Sequence, residues 1–315
     1  MHHTLIAKLA GLLTRIKRPD QLSLPASLPS KKQNDGPKSV TVKEIMTPLG
    51  ITISNVLLAK SMTKTKILLI GDNCIDRYTY GRVPRLSPEA PVPVFQPVRS
   101  IELAGMAGNV KRNLERLGLE VDFQYTSVSH KERLLDEHSN YHLLRIDNDA
   151  NAQPIAVGFI SKENLSNYSA IVISDYNKGT VTYELVKWLR SVFFGPIFVD
   201  TKKHDLAQFN NCYVKVNEHE RAAATSVPDP TCLITTLGKA GAEYKGTIFP
   251  SNLIDVVDVC GAGDTFLAAL TYDYLSTRSI TSAIKFANRA ASITVQHVGV
   301  YAPSLEEIST NAPIL

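Results

Sequence analysis

Residues 258–270 read DVCGAGDTFLAAL. Three small residues, Gly261, Ala262 and Gly263, lead into the carboxylate of Asp264, and an apolar helical pattern begins at once. The preceding LIDVV has the apolar content of a strand, so the segment predicts a strand, a tight turn and a helix. In an open α/β sheet such a turn lies where ligands bind, outside the carboxyl end of a strand. Glycines let backbone N–H groups approach an anion without interference from a Cβ. Unpaired amides and the positive end of the helix dipole then favour a phosphoryl group in transfer. Asp264 has two readings here: a first-turn acid that serves the helix, or a base that takes a proton during the transfer. The turn is not a dinucleotide fingerprint, because GxGxxG needs glycine where Phe266 stands, and Walker A (GxxxxGK[ST]) occurs nowhere.

Outward from this turn, short apolar runs alternate with helical patterns. KILLIGD, SAIVISDY, PIFVDTKK, CYVKVNEHE and TCLITTLG read as strands that end in polar or glycine residues. NVKRNLERLG, closed by Gly118, and YELVKWLRSVF read as helices, and two more are expected over about 262–275 and 280–297. The alternation predicts an α/β sandwich of three layers whose central sheet is mainly parallel and covered on both faces. PEAPVPVFQPV departs from this, since its prolines exclude a central strand and suit an edge or a small flap.

The 315 residues suffice for a substantial core. The net charge of +4 is uneven: residues 1–66 hold 11 Lys and Arg against 3 Asp and Glu, leaving 23 against 27 for the rest. The folded body is therefore mildly acidic and gives no footprint for nucleic acid. Four scattered cysteines without a CxxC pair argue against zinc or a disulfide framework, and fit a reducing cytoplasm. No apolar run is long enough for a membrane span. Residues 1–61 differ in composition from the rest. Leu5, Leu9, Leu12 and Ile16 fall near helical spacing, as in a targeting or membrane-surface helix. The plainer expectation is a disordered extension ahead of a folded domain over 62–315, with Met62 opening naturally onto the first strand.

DVCGAGDTF resembles the DTxGAGDxF signature of the ribokinase/PfkB family of carbohydrate kinases, and other motifs follow in that family's order over about 66–303. The resemblance implies a ribokinase-like fold with a small β lid, here around 82–104 and 125–147. It implies ATP with Mg²⁺, and a monovalent cation such as K⁺, as cofactors. It makes Asp264 the base and the amides of Gly261, Ala262 and Gly263 the anion hole. VNEHE resembles NxxE, placing Asn217 and Glu220 near the magnesium–phosphate network, with Glu220 reaching the metal through water. TTLGKAG resembles the nucleotide-side TxGxxG through Thr236, Gly238 and Gly241. Asn288 would lie near the adenine. VDTKK resembles DPK, giving Asp200 and Lys202.

The amino-terminal half narrows the acceptor. GDNCIDRYTYGRVPRLSPEAPVPVF resembles the opening of heptose 7-phosphate kinases, which act on the anomeric hydroxyl and lead to nucleotide-activated heptose. By this resemblance Asp72 and Asp76 are sugar-binding candidates, carboxylates being strong acceptors for hydroxyls. In AGMAGNV, Gly105 and Asn109 match the family's GGxAN, whereas Met106 replaces a glycine. SDYNKG brings Asp175 and Lys178 to a strand's end. Lys131, Arg133 and Arg145 are cations suited to a distal phosphate, and a solvated charged loop is the alternative reading for them. Arg77 suits a structural acid as well as a ligand.

Two departures stand out. The chain is shorter than the family pattern between Asn109 and Arg145, so a rim helix is expected to be missing, and Cys260 stands where threonine is usual. The rival readings are a family member acting on fructose phosphates, ribose or a nucleoside, and a catalytically weak nucleotide-binding homologue. No GxFDxxHxGH adenylyltransferase motif occurs, so a separate adenylyltransferase is expected downstream. Proline-rich edge strands in the flap suit a homodimer.

Overall fold

The computed structural model describes residues 65–251 and 255–310, and the expectations for residues 1–61 lie outside them. The described residues belong to one unit built on two sheets. The chain begins with β1 (Lys66–Gly71), β2 (Asn73–Leu86), β3 (Pro93–Met106) and helix α1 (Ala107–Arg116), followed by β4 (Glu120–Gln124), β5 (Val128–Asp136) and β6 (His142–Asn148). It continues through α2 (Lys162–Leu165), β7 (Ala170–Asp175), α3 (Tyr183–Val192), β8 (Ile197–Thr201), β9 (Tyr213–Asn217) and α4 (Glu218–Ala222). It closes with β10 (Leu233–Thr236), β11 (Ala242–Tyr244), β12 (Thr247–Phe249), α5 (Ala262–Thr277), α6 (Ile280–Thr294) and α7 (Leu305–Thr310).

The larger sheet has the order β12-β11-β10-β9-β8-β7-β1-β4. Its pairings from β4 through β10 are parallel, and β11 and β12 add an antiparallel edge. KILLIG and AIVISD are apolar without a break because both faces of these strands are covered. Ile67, Leu69 and Val172 point into a cluster with Val110, Leu114, Phe266 and Leu270 from α1 and α5. Their neighbours Leu68, Ile70, Ile171 and Ile173 point the other way, onto Leu185, Val186 and Leu189 of α3. Truncating one such residue to alanine typically costs about 2–5 kcal/mol.

The smaller sheet has the order β3-β2-β5-β6, so the proline-containing β3 takes an edge. Pro97 stands there at a register shift opposite Gly81, where a missing N–H costs no ladder bond. Among the described residues, only the four-residue α2 is helical between α1 and α3, and β4 forms an edge of the main sheet.

Two sequence expectations need correction. Residues 255–257 are not a strand: the last strand before the turn is β12, which ends the sheet. With no neighbouring strand among the described residues, the N–H groups of Val257 and Asp258 both donate to the carbonyl of Val295 after α6, at 2.8 and 3.1 Å. Helix α6 stops at Thr294 rather than near 297, its end tightening into i→i−3 bonds from Gln296 and His297.

Candidate active site

Helix α5 starts on Gly261, whose φ of 77° is left-handed. A Cβ there would lie 2.9 Å from Asn109 Nδ2 and 3.1 Å from Val300 Cγ1, so both backbone angle and space demand glycine. The amide of Ala262 donates to Val259 O at 3.3 Å. This corrects the expected anion hole: of the turn's own N–H groups, those of Gly261, Gly263 and Asp264 have no acceptor among the described residues.

Asp264 does not cap its own helix. Its carboxylate accepts from Asn109 Nδ2 at 2.8 Å and from the Tyr176 hydroxyl at 3.0 Å. Burial pushes its pKa up to about 6, opposed by the Asn109 hydrogen bond and reinforced by the charge of Asp200. It is thus a carboxylate poised to exchange a proton near neutrality, as general bases require. Tyr176, half-buried beside Asp264, is held well above the ordinary tyrosine pKa by desolvation and by that charge, so it stays a donor.

Under the turn lies an ion pair, Lys215 Nζ to Asp200 Oδ2 at 2.7 Å, with both side chains buried. A Cβ on Gly263 would meet Lys215 Nζ at 2.8 Å. The second glycine therefore admits an ammonium directly behind the turn. Neither Tyr176 nor Lys215 was assigned from sequence. For Lys215 a signal existed: a lysine inside the otherwise apolar strand YVKVN needs a buried acid.

One cavity, of about 410 Å³, adjoins the turn. It brings together Asn217, Thr236, Gly238, Gly241 and Asn288 with Ala262 and Gly263, while Val256, Val259, Phe266, Ala291 and Val295 supply an apolar wall. The size and the mixed lining suit a nucleotide. Gly241 has φ 101°, and a Cβ there would come within 2.1 Å of Phe249 O, so the bend of this wall requires glycine. Asn288 Nδ2 donates to Phe249 O at 2.7 Å, tying α6 to the loop after β12. Asn217 caps α4 reciprocally with Glu220, and Lys202 pairs with Glu220. Burial pulls the Lys202 pKa down, but the charges of Asp200 and Glu220 outweigh it, so Lys202 remains a cation.

The two oxygens of Glu220 are committed to Lys202 and to the Asn217 N–H. Among the described residues no group of three His, Cys, Asp or Glu side chains converges to hold a metal. With both oxygens taken, Glu220 would meet a phosphate-borne Mg²⁺ only through one of the ion's waters.

On the sugar side the expectations divide. Asp76 pairs with Arg133 at 2.6 Å, and Gly105 makes room for it, since a Cβ would fall 2.3 Å from Asp76 Oδ2. Asp72 is a correction. Its oxygens accept the backbone N–H groups of Tyr176, Lys178 and Thr180, so it shapes the loop after β7 and has little capacity left for a sugar. Asp175 is likewise committed, to the Asn177 N–H, the Thr201 hydroxyl and Lys203. Lys178 pairs with Asp149 at 2.5 Å, Arg145 with Asp147 and Arg77 with Glu102. Lys131 forms no ion pair among the described residues and is the register partner of Asp76. The Cys260 N–H donates to Asp258 Oδ1, and burial pushes its thiol up to about 11, so it is no thiolate nucleophile.

A parallel sheet with a small second sheet, a glycine turn at a helix start and a buried carboxylate beside it together define a ribokinase-like architecture. Its solved neighbours include ribokinase from Thermotoga maritima, with a TM-score of 0.59 at 17% identity over 78% of this chain and 98% of that one. Phosphofructokinase-2 from Escherichia coli, in complex with potassium, gives 0.59 at 16% identity over 79% and 98%.

Residues 201–308 match the pfkB family carbohydrate kinase model. It is similar to the bifunctional protein HldE of Campylobacter curvus, 28% identical over 304 residues, covering 78% of this chain and 64% of that protein. The corresponding protein of Nitratiruptor sp. is 29% identical over 303 residues, with the same coverage. The chain thus spans about 64% of the length of these curated relatives. Because 304 aligned positions exceed 78% of a 315-residue chain, the relatives carry segments within the alignment that this chain lacks.

Proposed function

We propose that this protein is an ATP-dependent sugar kinase whose acceptor is heptose 7-phosphate, phosphorylated at the anomeric hydroxyl to the 1,7-bisphosphate. The observation that carries the reading is the Asp264 carboxylate. It is buried and raised to a pKa of about 6, and it lies beside amides without acceptors at one end of a nucleotide-sized cavity. In the proposed step the sugar O–H gives its proton to Asp264 while the oxygen bonds to the γ-phosphorus. The bond from that phosphorus to the β–γ bridging oxygen breaks, and ADP leaves. The N–H groups of Gly261, Gly263 and Asp264 meet the charge that develops, and removing one such donor typically costs about 10²–10³-fold in rate. Lys215 adds a fixed positive charge behind Gly263. Mg²⁺ would neutralise phosphate charge from the nucleotide's own oxygens, and a monovalent cation such as K⁺ is proposed from family resemblance alone.

Heptose 7-phosphate is favoured by GDNCIDRYTYGRVPRLSPEAPVPVF and by the free cation of Lys131 beside Asp76 and Arg133. The proposal includes a cytoplasmic location and a homodimer. The exposed Leu144 and Ile146, on one face of the smaller sheet, support the last. No described helix is long and apolar enough to cross a membrane. The test is ADP release with heptose 7-phosphate against fructose 6-phosphate. Turnover with the first alone is expected; turnover with the second alone transfers the site to a different acceptor.

A further inference from the structure

Helix α1 meets the catalytic turn through three residues on one face. Asn109 touches the Asp264 carboxylate, and Asn113 Oδ1 accepts from the Thr265 hydroxyl at 2.9 Å. Between them in sequence, Arg112 Nη2 donates to the carbonyl of Val300 at 2.7 Å. Arg112 is half-buried, its Nε is sealed without a partner, and among the described residues it pairs with no carboxylate. Burial alone pulls its pKa down. A lone guanidinium at such a site is costly, so its single strong bond calls for an account.

The carbonyl it holds belongs to the loop that passes behind the turn. Val300 Cγ1 and Cβ lie 3.1 and 3.4 Å from the point that a Cβ on Gly261 would occupy. The residue before it, Gly299, donates its N–H to Asp258 Oδ2 at 2.8 Å, while Asp258 Oδ1 accepts from Cys260. The residue after it, Tyr301, offers its carbonyl to the Thr294 hydroxyl at 3.2 Å. Arg112 and Asp258 thus grip adjacent residues of one loop, and that loop presses Val300 against Gly261.

We propose that Arg112 is a positioning residue for phosphoryl transfer: with Asp258 it clasps the 299–301 loop against Gly261 and so holds the turn's free amides in register with Asp264. The inference rests on the kinase reading above. Arg112 is not part of the lining of the nucleotide-sized cavity, so its signature is a loss in kcat rather than in binding. A misplacement of about 1 Å at reacting groups costs on the order of 10²-fold in rate.

The test compares wild type with Arg112→Met, Arg112→Lys and Val300→Ala. The expected result for Arg112→Met is a kcat lower by roughly 10- to 100-fold, with KM for both substrates and calorimetric ADP affinity unchanged. Arg112→Lys, which keeps a cationic donor, regains part of the loss. Val300→Ala, which leaves the guanidinium in place, lowers kcat in the same way and serves if Arg112→Met does not fold. Amide hydrogen exchange, which needs no turnover, is expected to quicken in 257–264 and 296–301 of Arg112→Met and nowhere else. Wild-type kcat in Arg112→Met, or unchanged exchange in those two segments, overturns the clasp. If wild type phosphorylates no sugar offered, the kinase reading falls and takes the role in transfer with it, while exchange still decides whether the clasp exists.

Discussion

Asn109 Nδ2 donates to Asp264 Oδ2 at 2.8 Å across 155 residues of sequence, joining the start of α1 to the start of α5. The same amide nitrogen lies 2.9 Å from where a Cβ on Gly261 would stand, so one side chain locates both the carboxylate and the turn. Replacing it tests both duties. Asn109→Ala is expected to lower kcat on the order of 10²-fold, the scale for a misplaced reacting group. Steady-state kinetics with ADP binding measured alongside checks this, since the cavity itself does not use Asn109.

The pH dependence follows from the raised carboxyl. Proton acceptance needs the ionised form, so kcat falls as pH drops below about 6 and levels off above it. A sugar phosphate also titrates near pH 6, which leaves the limb unassigned in wild type. The Asn109 hydrogen bond holds the Asp264 pKa down. Its removal therefore moves the acidic limb of Asn109→Ala to higher pH, whereas a limb that belongs to substrate stays in place.

Lys215 and Asp200 make the strongest stability prediction. Asp200 Oδ1 is already buried without a partner, so Lys215→Met leaves an uncompensated carboxylate. Breaking a buried pair in this way costs about 3–5 kcal/mol. Urea unfolding is expected to show that loss in Lys215→Met, and adding Asp200→Asn to it is expected to recover a large part.

Met106 has φ 51° and ψ −134°, a conformation natural only to glycine, and it stands where the family motif has glycine. Its side chain is also buried, so removing it costs packing whichever small residue replaces it. The informative comparison is between two truncations. Met106→Gly relieves the backbone and Met106→Ala does not, so the glycine variant is expected to be more stable by about 1–2 kcal/mol. Equal unfolding midpoints would remove the strain argument.

Much of this was legible in sequence because it depends on local pattern. Unbroken apolar runs such as KILLIG and AIVISD announce strands covered on both faces, and Gly-Ala-Gly before an acid announces a helix start. What a carboxylate faces is a tertiary matter. Asp72 and Asp76 are four residues apart in one motif, yet one is consumed by backbone amides from the loop after β7 and the other pairs with Arg133. Tyr176 escaped notice because its partner lies 88 residues away. The valines before the turn read as a strand because apolar content carries no information on whether a neighbouring strand exists, and among the described residues there is none beyond β12.

The central claim is that the Asp264 carboxylate removes the acceptor's proton, and Asp264→Asn tests it most directly. Burial raises the folded-state pKa, so stability from this group is present below the ordinary aspartate value and lost as pH rises through about 6. The variant should therefore fold, and at pH 8 should unfold at a higher temperature than wild type, with ADP affinity intact. Turnover of heptose 7-phosphate should fall to background. A folded Asp264→Asn protein that releases ADP at the wild-type rate would contradict the account.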